Sequence, residues 1–492
     1  MKNIPDVKTG IAAVSRDCFP IELSGGRRKK VAGYCKNNNI PLTEIQTIIE
    51  NEGNIENALA EIRDKKVNAL VVYLGNFGPE GPATKLAEKF SGPIMFAAAA
   101  EESGDNLIHG RGDAYCGLLN ASYNIGLRGL NPYIPDYPVG TPEEIAQMID
   151  EFQPIARVCL GLKRLKIFSF GPRPHDFLAC NAPIKPLYDI GVEVMENSEL
   201  DLLDICNSAE GDPAIEEIAQ DMAKELGGGN AYPDLLKKLA QYELGLIRFM
   251  EDNLGVSEYG VFANKCWPAF EKYFTFVPCY VNSRFASRGI PIACETDIYG
   301  ALSEYIITCA TSGTAALLDI NNTVPPDMIK DRQEINSNYK PTDLFMGFHC
   351  GNTASGCLVD PQMKYQLIMH RLMEPDKEPE ITRGTLEGRI KPGEITIFRL
   401  QSTADTELKA YAAEGEILDL EPKTFGGTGV FAIKEMGRFY RHVLIEKRFP
   451  HHTAVGFKHS GKVLFNAMRM LGVEDLSYNQ PQGSLYKTEN PF

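Results

Sequence analysis

Between Gly10 and Arg164 the chain alternates between two patterns, and few folds accommodate both. Continuous apolar runs of strand length fall at residues 11–14, 69–74 and 93–100. Stretches of helical periodicity fall between or beside them, at 31–37, 55–64 and 83–90. A strand that is apolar at every position is buried on both faces, and such strands separated by helices form a parallel sheet with helices on each side. A loop rich in Pro and Gly follows at 131–142, and the next helix opens on Thr141 as N-cap, Pro142 at N1 and Glu144 at N3.

A second α/β unit begins near Leu165, with a strand at 167–169 and the breaker Gly171-Pro172-Arg173-Pro174. Amphipathic helices are expected at 215–226 and 235–253, with Gly227-Gly228-Gly229 stopping the first. The unit ends in a β-α-β pattern: strand 290–294, helix 299–311, strand 315–318. Beyond Asn321 the runs become short and strand-like, at 345–348, 365–369, 394–400, 407–413, 430–433 and 442–446, before a closing helix at 462–471. The expected architecture is therefore α/β: two parallel-sheet domains, 1–163 and 164–318, followed by a β-rich, barrel-like C-terminal domain, 319–492.

Composition narrows the function classes. The net charge is −15, and the longest basic run is Arg27 to Lys30, which argues against nucleic acid or an anionic membrane as partner. No apolar run reaches about 18 residues, and the first ten residues lack an apolar secretory core, so a cytoplasmic protein is expected. Twelve cysteines without a C-x-x-C pair read as reduced packing residues.

The chemistry concentrates at the β-α-β. Glu295 follows one strand and Asp319 the other, 24 positions on. If the two strands lie side by side in one sheet, both carboxylates emerge at its carboxyl rim, where α/β proteins place their sites. Two acids there can share a cation and divide acid and base roles; the alternative is that Glu295 caps the next helix and Asp319 opens a turn. Asp297 is a rival ligand. Histidines at loop edges, His349, His451 and His452, add donors, and an oxygen-rich set with imidazole suits Mn²⁺, Co²⁺ or Mg²⁺ better than a thiolate zinc site. Trp267, the only tryptophan, suits sugar stacking or a partly buried core. Two nucleotide motifs are incomplete. Gly427-Thr428-Gly429-Val430-Phe431-Ala432 lacks a leading strand and a following helix, and Gly456 to Lys462 is followed by Val463 where a P-loop has Ser or Thr.

At these residues the sequence resembles the L-fucose isomerase family and, more distantly, L-arabinose isomerase. Cys294-Glu295-Thr296-Asp297, Ser312-Gly313-Thr314-Ala315 and Asp319 match the spacing of that family's two catalytic carboxylates. His452-Thr453-Ala454-Val455, with His459 and Met470-Leu471-Gly472-Val473, is similar to its C-terminal metal-histidine motif. The resemblance implies Glu295, Asp319 and His452 as metal ligands, the carboxylates as acid–base groups, and His349 as a further ligand by analogy with the arabinose enzymes. It also implies an aldose–ketose isomerase acting on an open-chain sugar through an ene-diol, with Mn²⁺ first among cofactors. A closed homo-oligomer, a hexamer, is implied too, in which the first domain covers a neighbour's site. Arg27 and Arg28, in a familiar Gly26-Arg27-Arg28, and Asn76 and Phe77 are then expected to reach the sugar. So are Asn264, Lys265 and Trp267, which replace the family's Gln-containing segment, and His451, which replaces its Asn. The rivals are a nicotinamide-dependent sugar oxidoreductase and a non-catalytic sugar-binding protein.

Overall fold

The computed structural model describes residues 2–108 and 110–492. The chain divides into two compact units, each with its own core.

The N-terminal unit comprises Pro5–Gly161 together with Phe465–Gly472. Its elements run β1 (Thr9–Val14), α1 (Ile21–Asn37), β2 (Thr43–Ile49), α2 (Gly53–Asp64), β3 (Ala69–Leu74), α3 (Glu80–Lys89), β4 (Ile94–Ala99), α4 (Ala114–Leu127), β5 (Val139–Gly140) and α5 (Pro142–Leu162). The strands form one parallel sheet in the order β2-β1-β3-β4-β5. The three all-apolar runs are its central strands, buried at every position. The start of α5 is the expected capping box: Thr141 N–H donates to Glu144 and Glu144 N–H to Thr141 Oγ1, at 2.8 and 3.3 Å.

The second unit contains Leu162–Leu464 and Val473–Phe492 and has two sheets. The smaller is parallel, in the order β7-β6-β8-β9, built from β6 (Leu165–Phe170), β7 (Glu193–Asn197), β8 (Tyr259–Ala263) and β9 (Ile292–Ala293). The larger has nine strands: β10 (Ala315–Thr323), β11 (Leu344–His349), β12 (Leu358–Tyr365), β13 (Arg383–Ile390), β14 (Gly393–Ser402), β15 (Leu408–Leu418), β16 (Gly427–Ala432), β17 (His452–Gly456) and β18 (Asp475–Tyr478). Within it β16, β11, β10, β17, β14 and β15 pair in turn, and β15 pairs back to β16. That ring is a closed antiparallel barrel, which leaves none of its six strands with a free edge.

Three expectations are corrected. The β-α-β around Glu295 and Asp319 does not lie in one sheet: β9 belongs to the parallel sheet and β10 to the barrel sheet. The intervening helix Ile298–Thr311 has no charged residue but Glu304, is buried from Tyr299 to Ala310, and packs against β6, β8 and β9 on one side and β10, β14 and β17 on the other. It is a helix shared by two sheets rather than a crossover on one. Residues 365–369 and 442–446, read as strands, are the end of β12 with the helix Leu367–Met373, and the π-helical turn Tyr440–Ile445. Gln366 caps the former by accepting Met369 N–H at 2.8 Å. Periodicity cannot separate strand from helix in apolar runs so short.

One buried acid has no evident use. Glu271, on the helix Phe270–Phe274, is fully buried, and neither carboxylate oxygen has a hydrogen-bond partner beyond its own residue. Burial pushes its pKa from the ordinary 4.5 up to about 8. The folded chain therefore keeps a proton that the unfolded chain releases, so this group destabilises the fold increasingly as pH rises from the unfolded to the folded value. Glu271→Gln should leave stability little changed near pH 4 and raise it by about 2–4 kcal/mol near pH 8–9, at about 1.4 kcal/mol per pK unit. Denaturant titrations at the two pH values check this, and an equal effect at both would refute it.

Candidate active site

The site is built where the two sheets of the second unit share their helix. After β9 the backbone turns through two consecutive residues with positive φ, Glu295 at 60° and Thr296 at 55°. The turn is pinned by Thr296 N–H donating to Asn264 O at 2.8 Å and Asp297 N–H to Cys294 O at 3.1 Å. Left-handed backbone at non-glycine residues costs about 1–3 kcal/mol each and persists where the surroundings impose it. Helix capping falls to Asp297, whose Oδ1 accepts Gly300 N–H at 2.9 Å, so Glu295 is not spent as a cap.

Asp319 is supplied by β10. It lies directly across from His452 on β17 and from Phe348 on β11, and Phe348 lies across from Thr428 on β16. Residues directly opposite each other share a sheet face, so His452, Asp319, Phe348 and Thr428 form one row. The imidazole Nε2 of His452 is 3.6 Å from Glu295 Oε2 and 3.5 Å from Asp319 Oδ1. Nε2 of His451 approaches the same two oxygens at 3.7 and 3.8 Å. Four donor atoms, from the turn after β9, from β10 and from the entry to β17, thus converge, and only the two histidines are neighbours in sequence.

Behind His452 lies a fully buried chain of charge. Nδ1 meets Asp297 Oδ2 at 2.7 Å, and Arg399 on β14 grips both oxygens of Asp297 at 2.6 and 2.8 Å. Gln401 Oε1 in turn accepts from Arg399 Nε and Nη2 at 3.0 and 2.6 Å. Asp297, with Arg399 as the chief attractive partner, is held well below the ordinary carboxylate range against the effect of burial. Burial alone would lower the His452 pKa, but its bond to Asp297 raises it well above the ordinary value. Burial pushes Glu295 up to about 7, helped by repulsion from Asp319, and pushes Asp319 up to about 6. The two carboxylates are thus held close together with little solvent to stabilise their charges.

Among the described residues, two groups of donor atoms lie close enough to hold a cation: Glu295, His451 and His452 on one side of the imidazole, and Cys180, Asp297 and His452 on the other. The second side is already satisfied, because Arg399, Gly300 and His452 occupy the Asp297 oxygens. The first side fits a divalent ion better. Oxygen and nitrogen ligands at about 2.0–2.3 Å from an ion stand about 3–4 Å apart, as these do. A carboxylate on the far ring nitrogen is also the usual support of a ligating histidine.

Other residues expected at the site take different places. His349 is buried nearby, with its pKa lowered to about 3 by burial and by the charge of His452. Its Nδ1 accepts N–H groups of Asn352 and Gly351 at 3.1 and 3.4 Å, which leaves the proton on Nε2. A ligating imidazole has the opposite arrangement, so ligation through Nε2 would require Nδ1 to give up these two bonds. Trp267 is partly exposed and edge-on to Phe177 at 5.7 Å, which is edge-on to His451 at 6.2 Å, forming an aromatic wall. Asn264 is spent on Tyr242 OH at 3.0 Å and on Asn282, and Lys265 on Pro172 O at 2.8 Å and Glu199 at 3.3 Å.

In the N-terminal unit, Arg27 is buried against Gly75 O at 2.9 Å and Glu101 at 2.7 Å, and Arg28 against Ile45 O at 2.6 Å and Glu44 at 3.2 Å. Both brace their own sheet. Asn76 ties the ends of β1 and β3 together by donating to Ser15 Oγ at 2.8 Å, and Phe77 stacks on Phe19 beneath the Arg16 guanidinium. Sequence reasoning passed over Arg399, Gln401, Cys180 and Phe177. Cys180 Sγ lies 3.6 Å from Glu295 Oε2 and 3.8 Å from His452 Nδ1. A buried arginine on a barrel strand was the one available signal among them, since such a residue needs a partner acid.

Similarities to known proteins fall on both ends of the chain. Residues 10–163 match the family model of the fucose/sulfoquinovose isomerase N-terminal domain, and residues 347–477 that of the L-fucose isomerase C-terminal domain. Sulfoquinovose isomerases of Priestia aryabhattai and of Priestia megaterium (strain ATCC 12872 / QMB1551) are each 24% identical over 472 residues, covering 94% of this chain and 98% of theirs. The sulfoquinovose isomerase of Alkalicoccus urumqiensis is 25% identical over 348 residues, 68% of this chain and 70% of its own.

The Asp297–Arg399 pair is the part of this geometry most readily tested by stability. Asp297→Asn leaves a buried guanidinium without its counter-charge and should destabilise the fold by about 3–5 kcal/mol. Adding Arg399→Met should recover a large part of that loss. Thermal unfolding of the single and double variants measures both; additive losses would show that the pair is not coupled.

Proposed function

The chain belongs to the L-fucose isomerase family and is an aldose–ketose isomerase, and from that premise we propose that Glu295, Asp319 and His452 hold a divalent cation, Mn²⁺ before Co²⁺ or Mg²⁺, and that an open-chain sugar reacts through an ene-diol. The observation that carries the reading is the approach of both carboxylates to one imidazole nitrogen, at 3.6 and 3.5 Å. A bound ion there would supply Lewis-acid polarisation of the sugar's carbonyl and neighbouring hydroxyl. Asp297 holds His452 with Nε2 turned toward the carboxylates, and Arg399 holds Asp297. One of Glu295 and Asp319 takes the proton from the carbon next to the carbonyl, and its C–H electron pair becomes the ene-diol double bond. The other passes a proton between the two oxygens, and the first returns its proton to the former carbonyl carbon. A cavity of about 640 Å³ is walled by Phe348 and Thr428 of the row and by Asn321, Asn322 and Lys423, and none of Glu295, Asp319, His451 and His452 lines it.

The names of the aligned relatives make sulfoquinovose, an anionic sugar, the first substrate to test, with fucose and arabinose next. The family premise also supports a closed homo-oligomer, a hexamer, as the working state. The rival oxidoreductase reading loses its motifs. Gly427 to Ala432 is itself the barrel strand β16 rather than a turn between a strand and a helix, and the N–H of Gly461, which a phosphate would need, already donates to Glu414 at 2.7 Å. No helix among the described residues is long and apolar enough to cross a membrane.

Chelation should abolish turnover and Mn²⁺ restore it; Glu295→Gln and Asp319→Asn should each lower kcat about 10²–10⁴-fold with the fold unchanged. His452→Ala should mainly weaken metal binding. Steady-state kinetics with defined metal and isothermal titration with Mn²⁺ decide these points. Full activity in a verified metal-free preparation, or near-normal turnover in either carboxylate variant, would sink the assignment.

A proton held on a carboxylate exchanges with solvent. Product formed in D₂O should therefore carry deuterium at the receiving carbon, read by NMR or mass spectrometry. Complete transfer of the substrate's own hydrogen would point to a hydride shift instead.

A further inference from the structure

The helix α4 carries no Asp, Glu, Lys or Arg in its 14 residues, in a chain whose net charge is −15. Its inner side is fully used. Ala114, Gly117, Leu118, Ala121 and Ile125 are buried, and Asn120 and Asn124 donate to the Glu80 carboxylate of α3 at 2.9 and 2.8 Å. Its outer side is not. Tyr115, Leu119, Tyr123 and Leu127 are 60, 64, 69 and 67% exposed. Spaced four apart, they make one continuous ridge along the helix. An isolated exposed leucine is ordinary, but four large apolar side chains in line form a patch that calls for a partner.

The row next to the ridge is small. Ser122 and Gly126 lie there, and a Cβ placed on Gly126 would meet no atom within 4 Å. Nothing within the subunit needs a glycine at that position, where it costs the helix about 1 kcal/mol relative to alanine. A ridge of bulky residues beside a shallow groove is complementary to itself, which is the requirement for a two-fold contact between identical surfaces.

We propose that α4 is a self-association face, packed across a two-fold axis on α4 of a second copy of this chain, with each Leu–Tyr ridge seated in the Ser122–Gly126 groove of the other. Ridges of this spacing interlock at a crossing angle near −50°. Charge selects a second copy over other occupants. Two subunits of net charge −15 repel wherever charged faces meet, and an uncharged helix is a surface they can bring together without burying an ion. A lipid surface is met by helices whose polar flank is rich in Lys and Arg, which α4 lacks. The four side chains expose on the order of 400–500 Å² per copy, about half the usual area per partner, so α4 forms the apolar centre of the contact and flanking loops its rim. The proposal is independent of the metal and the substrate.

The test is the mass in solution of the wild type, of Leu119→Glu/Tyr123→Glu, and of Gly126→Lys, by sedimentation velocity and light scattering. All three positions are exposed, and the lysine enters open space and is the better helix former, so far-UV circular dichroism should be unchanged. The expected result is an even-numbered wild-type oligomer and half its mass in both variants. A monomeric wild type overturns the proposal, as does wild-type mass in either variant. A monomeric wild type that pellets with anionic phosphatidylglycerol vesicles would assign the face to a lipid surface, which also overturns it.

Discussion

The ion pair between Asp297 and Arg399, with both side chains wholly excluded from solvent, is the contact on which the site depends. Two charges in such a place are stable only when each is met on every side. Asp297 is met by the guanidinium, by the first turn of the helix Ile298–Thr311 and by His452; Arg399 is met by Asp297 and Gln401. The pair therefore joins a helix N-terminus and two barrel strands, β14 and β17, in one rigid network. The orientation of His452 follows from it, since Nδ1 is committed and only Nε2 is left for the carboxylates.

A second constraint is the helix that both sheets of the second unit share. Because Ile298–Thr311 is apolar around nearly its whole circumference, it can be stable only with cover on all sides, and the parallel sheet and the barrel supply it jointly. Glu295 leaves the parallel sheet just before this helix and Asp319 lies on the barrel strand just after it. The two acids come from different sheets and still meet, because the helix between them is the place where those sheets touch. The left-handed turn at Glu295 and Thr296 is the local cost of aiming one acid across that junction.

The candidate site was legible in part, where chemistry leaves a trace in spacing. Two acids after two strands, and a His-His pair before a short apolar run, are visible patterns, and the family resemblance rests on them. A pair of arginines at a familiar position, Arg27 and Arg28, suggested substrate contact; within the subunit both guanidiniums bond carbonyls and a carboxylate of their own unit, while Arg27 Nε has no partner there. Asn264 and Lys265 are similar: polar residues in an expected binding segment that the fold uses for internal bonds. Sequence spacing reports which residues are near one another along the chain, but the direction of a long side chain is set by partners that arrive from elsewhere.

By itself the sequence determined the elements whose signals are local. The all-apolar strands of the first unit, the capping box at Thr141, the long amphipathic helices and the β-rich character after Asn321 all follow from side-chain periodicity and turn chemistry within a window of a few residues. The position of Glu295 just after β9 was fixed at the same level, whereas Asp319, expected just after its strand, lies in the middle of β10, which runs on to Thr323. Tertiary structure alone decided the rest: that β9 and β10 belong to different sheets, that the barrel closes through β15 and β16, and that Asp297 supports His452 while Glu295 faces it. Asp297 lies 155 residues from His452, and the strands that flank β10 in the barrel come from residues 344–349 and 452–456. Such partners leave no periodicity to read, because they are chosen by which surfaces are buried together once the chain has collapsed.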